Sequence, residues 1–341
     1  MNICLLTKYF GFNGTGISRF AFEILSGLEK RGHTIHKIET RADVSLYRYF
    51  IYTAFEIPLR LPRRDIDIYH ALVTLEGMWL PKDRSIVMIH DLFTTTDLER
   101  VGAGMGRSWW KKMVGASYFS FGSNLASKCR FVVCNSDKTK QDILSHIKVP
   151  EDKIRVIRMG IHRDLVPAPK KDGVFRIGTL SQLDKRKRID LLICQFKESK
   201  LDGELVIAGQ GQDRPLLERL IGDDSRIKLL GFVPDNEMSD FFNSLDIFAF
   251  PTWIEGYGLP IVEAMSCQKP VMVLSDAIIP DEVKSRCIVV DNFTDVLNNT
   301  ARLSDIIKQI DIDDNHRFAK EHDWDSCVEE HLKLYREINN S

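Results

Sequence analysis

The chain has 341 residues, 44% of them apolar and 28% charged. That content supports a sizeable buried core, and at roughly 100–200 residues per domain the length points to two domains. No stretch reaches the roughly 20 apolar residues of a membrane-crossing helix, since segment 46–61 is broken by Arg48, Glu56, Pro58 and Arg60. The seven cysteines are scattered and contain no CxxC pair, which argues against a disulfide framework or a zinc site and fits a reducing cytoplasm. The net charge of −1 hides an asymmetry. Residues 1–170 carry 26 Lys+Arg against 17 Asp+Glu, and the remainder carries 21 against 31. The two halves are expected to meet different partners, or to attract each other.

In chain order, residues 3–7 read as an apolar strand rather than a leader peptide. Residues 9–16 form a loop holding Gly11, Gly14 and Gly16. Residues 18–31 form a helix with Phe20, Ile24, Leu25 and Leu28 on one face, ended by Gly32. Runs at 34–38, 66–72, 86–89 and 131–134 predict further strands, with helices between them. Residues 166–173 have the proline, glycine and charge of a linker. A second series follows, with strands at 174–178, 204–208, 227–230, 247–250, 270–274 and 287–290. Its helices fall near 190–196, 215–221, 235–243 and 260–266, and a last helix spans 325–338. Alternating strands and helices predict parallel sheets. The expected fold class is therefore α/β, two doubly wound Rossmann-like domains facing a central cleft. They span 1–165 and 166–320, and 321–341 is a terminal helix.

Three constellations carry chemistry. In the first, the strand at 247–250 runs into a loop with Glu255, Gly256 and Gly258, then into a helix with Pro260 and Glu263. Proline suits the first helical position. The amides of Gly258 and Leu259 then stand at a helix N-terminus, where free N–H groups and the dipole favour a phosphate. Carboxylates there would repel a diphosphate, so Glu255 and Glu263 are expected to face sugar hydroxyls. The plainer alternative makes them helix-dipole partners. In the second, Lys185, Arg186, Lys187 and Arg188 follow the strand at 174–178. Four cations there can neutralise a diphosphate without a metal, unless they form a solvated basic loop. In the third, His90-Asp91 ends the strand at 86–89, where Asp91 is expected to orient the imidazole through its N–H. A classical dinucleotide reading fails, because Gly11, Gly14 and Gly16 do not make GxGxxG.

The run from Glu255 to Glu263 resembles the Glu-x7-Glu signature of the retaining glycosyltransferases of family 4, which have the GT-B fold. The resemblance continues through Val206 to Gly211, Leu230 to Asp235, Ser275 to Val283 and the Trp324 helix. It is looser through Gly14 to Ile17, Ile89 to Leu92 and Val133 to Ser136. It implies that Glu263 holds the nucleotide ribose and that Glu255 meets donor-sugar hydroxyls. Gly258 and Leu259 would bind the diphosphate with Arg186 and Lys187, and Phe232 and Val233 would flank the base. Gly209 would lie in the donor site, Gly14 and Gly16 near the donor phosphates, and His90 at the donor sugar. The terminal helix would cross back to the first domain. Thr179 departs from the arginine of many relatives, although mannosyl- and rhamnosyl-type enzymes share it. Of Met159 to His162, only Gly160 matches the family.

The implied reaction is metal-independent transfer of a hexose, mannose-like, from a uridine or guanosine diphosphate sugar, with retention and no cofactor. The acceptor is a saccharide or lipid-linked saccharide of cell-surface glycan synthesis. Nucleic acid is not an expected partner. The alternatives are a catalytically inactive nucleotide-sugar-binding subunit and a sugar-nucleotide epimerase of the same fold. Arg60, Arg63, Arg64, Arg107, Trp109, Trp110, Lys111 and Lys112 lie in the basic half, and 105–129 reads as a helix presenting part of that set. This mixture suits an anionic membrane surface and a cytoplasmic, peripheral location. Its alternative is a core helix with a solvated edge.

Overall fold

The computed structural model describes residues 1–11, 16–40, 45–93 and 109–340. They form two compact units, residues 1–160 with 323–341, and residues 161–322.

The first unit is built on six parallel strands: β1 (Asn2–Leu6), β2 (Thr34–Ile38), β3 (Ile68–Ala71), β4 (Ser85–Ile89), β5 (Phe131–Cys134) and β6 (Ile154–Val156). Their order is β2-β1-β3-β4-β5-β6. β3, β4 and β5 are buried at every residue, as apolar runs covered on both faces should be. β6 was not expected. It is three residues long and only Ile154 is buried, so no period-2 pattern marks it. The first helix starts at Gly16 and ends at Lys30. It packs against the last helix, Trp324–Asn339, so closely that a Cβ on Gly27 would sit 2.6 Å from Val328 Cγ2. Arg31 extends this contact with ion pairs to Asp325 at 3.2 Å and Glu329 at 2.7 Å. Between β2 and β3 the chain is helical at Leu46–Ile51, makes a π-helical turn at Tyr52–Glu56, and ends at Ile57–Arg60.

The second unit also has six parallel strands: β7 (Arg176–Leu180), β8 (Glu204–Ala208), β9 (Ile227–Gly231), β10 (Ile247–Phe250), β11 (Val271–Leu274) and β12 (Ile288–Val290). Their order is β12-β11-β10-β7-β8-β9. Phe248 and Phe250 face one core layer with Phe242, Tyr257 and Ile261, while Ile247 and Ala249 face the other with Ile177, Ile207 and Ile193. The strand sequence reverses between β7 and β10. In an open parallel sheet this reversal opens a crevice beyond the carboxyl ends of the two strands, because their following connections leave in opposite directions. In the first unit the reversal lies between β1 and β3.

Among the described residues no helix is long and apolar enough to cross a membrane, and no three His, Cys, Asp or Glu residues are grouped to hold a metal.

Candidate functional site

The segments after β7 and β10 flank the reversal of the second sheet, and they are tied together. Asp184 caps a 3-10 turn at Lys185–Lys187 by accepting from the amides of Arg186 at 3.0 Å and Lys187 at 3.3 Å. The Arg186 carbonyl accepts from the Trp253 amide at 2.9 Å, and its guanidinium donates to the Ile254 carbonyl at 2.9 Å. Residues 253–255 are in turn held by Ile278, whose amide donates to the Trp253 carbonyl and whose carbonyl accepts from the Glu255 amide.

On this scaffold three donors converge on one oxygen, Glu255 Oε1. Lys187 Nζ lies 2.5 Å away, Thr252 Oγ1 2.5 Å and Arg186 Nη1 3.1 Å. Glu255 and Lys187 are both buried, and Lys187 also lies 4.8 Å above the Phe250 ring. Burial pushes the Glu255 carboxyl up, but the Lys187 and Arg186 charges outweigh it and hold it below the usual carboxylate range. Burial lowers the Lys187 ammonium despite the pull of Glu255. The carboxylate is ionised at neutral pH, inside a cationic pocket.

The four consecutive cations therefore divide. Lys185 is exposed. Arg186 and Lys187 hold Glu255. Arg188 is structural: it sits in the left-handed region at φ 51°, donates to the carbonyls of Pro251 at 2.7 Å and Thr252 at 2.9 Å, and makes a two-pronged pair with Asp276 at 2.8 and 2.9 Å. The expectation of four cations open to a diphosphate is thus too broad. Thr252, the third donor to Glu255, is not legible in the sequence, since a threonine after a strand carries no periodic or motif signal.

Gly258 precedes the helix Leu259–Ser266 with φ 92°, a conformation glycine adopts without strain. Pro260 is the second helical residue rather than the first, where its missing N–H is equally harmless. Glu263 is buried one turn in, with Leu259 partly buried beside it. Gly209, after β8 at φ 130°, lies so close to the loop after β7 that a Cβ would meet the Ser181 carbonyl at 1.8 Å. Phe232 is 46% exposed after β9, and Val233 packs on the core. Thr179 is wholly buried and its hydroxyl has no partner among the described residues.

In the first unit His90 follows β4 and is 7% exposed. Its Nε2 lies 3.0 Å from the Leu72 carbonyl, and its ring meets Phe20 edge-on at 5.0 Å. A carbonyl only accepts, so Nε2 carries the proton and Nδ1 is left as an acceptor. The orienting partner is thus Leu72, not Asp91, whose carboxylate accepts from the Phe93 amide at 3.4 Å. Burial lowers the imidazole to about 4, so it is neutral at pH 7. Gly16 is the first residue of its helix, and Gly14 lies outside the described residues. Of the basic set, Arg60, Arg63 and Arg64 are exposed. Residues 109–126 are helical, Arg107 lies outside the described residues, and the side chains of Trp109, Trp110, Lys111 and Lys112 do too.

Residues 14–165 match the family model described as Glycosyltransferase Family 4, and residues 174–305 that of Glycosyl transferases group 1. The O-antigen chain mannosyltransferase B of Escherichia coli is 25% identical over 238 residues, 61% of this chain and 60% of that protein's length. The chain thus spans less than two thirds of that relative. Among solved structures, the sucrose-phosphate synthase of Thermosynechococcus elongatus superposes with a TM-score of 0.77 at 14% identity, over 99% of this chain and 98% of that one. HepE of Anabaena, solved in complex with UDP and glucose, superposes with a TM-score of 0.68 at 15% identity, over 98% of each chain.

Proposed function

Because the chain belongs to the group 1 glycosyltransferases and has their GT-B fold, we propose that it transfers a mannose-like hexose from a nucleoside diphosphate sugar to a saccharide or lipid-linked saccharide, with retention and without a metal. The observation that carries this is the convergence of Arg186 and Lys187 on Glu255 beside the glycine-led helix end at the reversal of the second sheet. An anionic diphosphate seated there meets two cations and the Gly258 and Leu259 amides, which stabilise the departing phosphate as a divalent ion does elsewhere. Glu255, held ionised, accepts hydrogen bonds from sugar hydroxyls. Glu263 does the same for the ribose, and Phe232 and Val233 flank the base, with Gly209 beside them. The acceptor hydroxyl enters on the face the phosphate leaves, and a phosphate oxygen takes its proton. His90 is assigned the donor-sugar contact that the resemblance implies. With Nδ1 as acceptor and a low basicity, it receives a hydroxyl proton in a hydrogen bond and is unsuited to act as a general acid.

The UDP and glucose bound to HepE support a nucleotide-sugar donor, and the mannosyltransferase relative supports mannose. Melting temperature measured with UDP- and GDP-linked sugars tests the donor, since a ligand of the native state raises it. Transfer is then assayed in excess chelator. No shift with any donor overturns the assignment, and loss of transfer restored by magnesium or manganese overturns metal independence.

A lipid-linked acceptor is supported by the segment 46–60. It exposes Tyr47, Phe55 and Leu59, at 74%, 57% and 86%, directly before Arg60, Arg63 and Arg64. Apolar side chains beside cations bind where acyl chains meet anionic headgroups. The same side chains support a peripheral position at an anionic membrane surface.

A further inference from the structure

Arg188 holds a left-handed backbone conformation, φ 51° and ψ 38°, between the 3-10 turn Lys185–Lys187 and the helix Ile189–Glu198. Glycine adopts that conformation freely, whereas a residue with a Cβ is strained in it. Such strain persists where surrounding contacts over-determine it, and it concentrates at functional sites. The contacts here are those of the guanidinium. Nε donates to the Pro251 carbonyl at 2.7 Å and Nη2 to the Thr252 carbonyl at 2.9 Å, while Nη1 and Nη2 grip the two oxygens of Asp276 at 2.8 and 2.9 Å. The group also lies 5.6 Å from the centre of the Trp253 ring. Asp276 is itself held in place, because Lys284 Nζ donates to the carbonyls on either side of it, Ser275 and Ala277, each at 2.7 Å. One side chain thus ties together the segments after β7, β10 and β11.

The tie ends on the carboxylate of Glu255. Thr252, whose carbonyl Arg188 holds, is wholly buried and gives its hydroxyl to Glu255 Oε1 at 2.5 Å. Lys187, next to Arg188 in the chain, gives its ammonium to the same oxygen. Arg188 therefore governs two of the three donors on Oε1, Lys187 through the backbone turn and Thr252 through its carbonyl. We propose that Arg188 is a positioning residue of the transfer reaction, and that the Arg188–Asp276 pair sets the direction of the Glu255 carboxylate toward the donor sugar; this rests on the glycosyltransferase reading above. The planar guanidinium fork fixes two carbonyls and a carboxylate at once, which the single ammonium of a lysine does not. The Gly258 and Leu259 amides and Glu263 lie outside the tie, so its loss reaches the sugar contact and spares the nucleotide.

The test compares the parent chain with Arg188→Gly, Arg188→Lys, Asp276→Ala and Thr252→Val. Glycine keeps the left-handed turn, and with it the place of Lys187, while removing the guanidinium. Calorimetry gives the affinity for UDP, GDP, UDP-glucose and GDP-mannose. Nucleotide release from the two sugar nucleotides, with octyl mannoside or water as acceptor, gives kcat and KM. Arg188→Gly should lower kcat about ten- to a hundredfold, and lose any margin by which the parent binds a sugar nucleotide more tightly than the free nucleotide. Its affinity for UDP or GDP should stay as in the parent. Millimolar methylguanidinium should restore its turnover saturably, but not that of Thr252→Val, where the hydroxyl is gone. Arg188→Lys should stay impaired, and Asp276→Ala, at a side chain 63% exposed, should show the same split to a smaller degree. Adding Arg188→Gly to Thr252→Val should lower kcat no further, since both act through one hydroxyl. Parent kcat and parent sugar margin in Arg188→Gly overturn the proposal. So does a joint loss of kcat, nucleotide affinity and melting temperature without rescue, which marks a role in the fold alone. A parent chain that binds none of the four ligands overturns the glycosyltransferase reading and this proposal with it. A parent that turns over beside an unimpaired Arg188→Gly leaves that reading standing and removes the positioning role alone.

Discussion

Lys187 Nζ lies 2.5 Å from Glu255 Oε1, and both side chains are buried at the sheet reversal of the second unit. An ion pair taken out of water returns little net stability, because desolvation offsets the Coulomb gain, yet removing one partner strands the other charge. Here the Lys187 and Arg186 charges also keep a buried carboxylate ionised.

Glu255→Leu strands the buried Lys187 ammonium, at an expected cost of roughly 3–5 kcal/mol, whereas Lys187→Met leaves Glu255 paired with Arg186 at 3.1 Å and should cost less. The double substitution should recover much of that stability and none of the activity. Thermal melting and initial rates on the four proteins check this. Single variants as stable as the parent would show that the pair is solvated. Glu263→Ala should instead weaken donor binding, by roughly 1.5–3 kcal/mol if its hydroxyl contacts are charge-assisted, as a rise in KM for the donor would reveal.

Two glycines should fail differently. Gly258→Ala places a Cβ 3.2 Å from Ile261 Cδ1, a side-chain end that can yield, so the change mainly strains a φ of 92°. It should cost roughly 1–2 kcal/mol and raise the donor KM through the displaced amide. Gly209→Ala drives a Cβ into the Ser181 backbone carbonyl, which cannot yield. That variant is expected to melt well below Gly258→Ala whatever its donor affinity, and the reverse order would refute the packing argument.

The first unit should lose stability in mild acid. Burial lowers His90 and His331 to about 4, and His70 well below its ordinary value. Each is neutral when folded, while the unfolded chain binds protons near pH 6.5. Their contribution is complete above about pH 6.5 and is lost as pH falls toward the folded values, at roughly 1.4 kcal/mol per unit for each histidine. Glu76, raised by burial to about 7, acts oppositely: its neutral form is the stable buried one, so its contribution shrinks as pH rises from about 4.5 to 7. The three histidines outweigh it. His331→Leu should reduce the slope of melting temperature against pH by about one proton. A melting temperature independent of pH between about 5 and 6.5 would contradict the assignment.

Binding to anionic vesicles should weaken in salt, because screening shortens the reach of Arg60, Arg63 and Arg64. Replacing Tyr47 and Leu59 with Ser should reduce flotation at every ionic strength, since apolar insertion is not screened. No flotation of the parent chain at low salt would point to a water-soluble acceptor.

The sequence by itself determined the two parallel sheets, the helix that follows Gly258, and the pairing of Glu255 with Glu263 in one motif. Each rests on neighbours within a few residues: apolar runs make buried strands, and glycine before a proline-bearing turn makes a helix start. It did not reveal β6, whose pairing depends on β5 rather than on its own pattern. Nor did it decide which of four adjacent cations reaches Glu255. That choice belongs to the strand order, which sets the turn after β7 beside the loop after β10 and joins Lys187 to a carboxylate 68 residues away. The same holds for His90, whose proton goes to Leu72, 18 residues back, rather than to its neighbour Asp91. Local spacing selects elements and candidate residues. A buried polar group is satisfied by whatever the fold packs against it, and only the tertiary structure decides that.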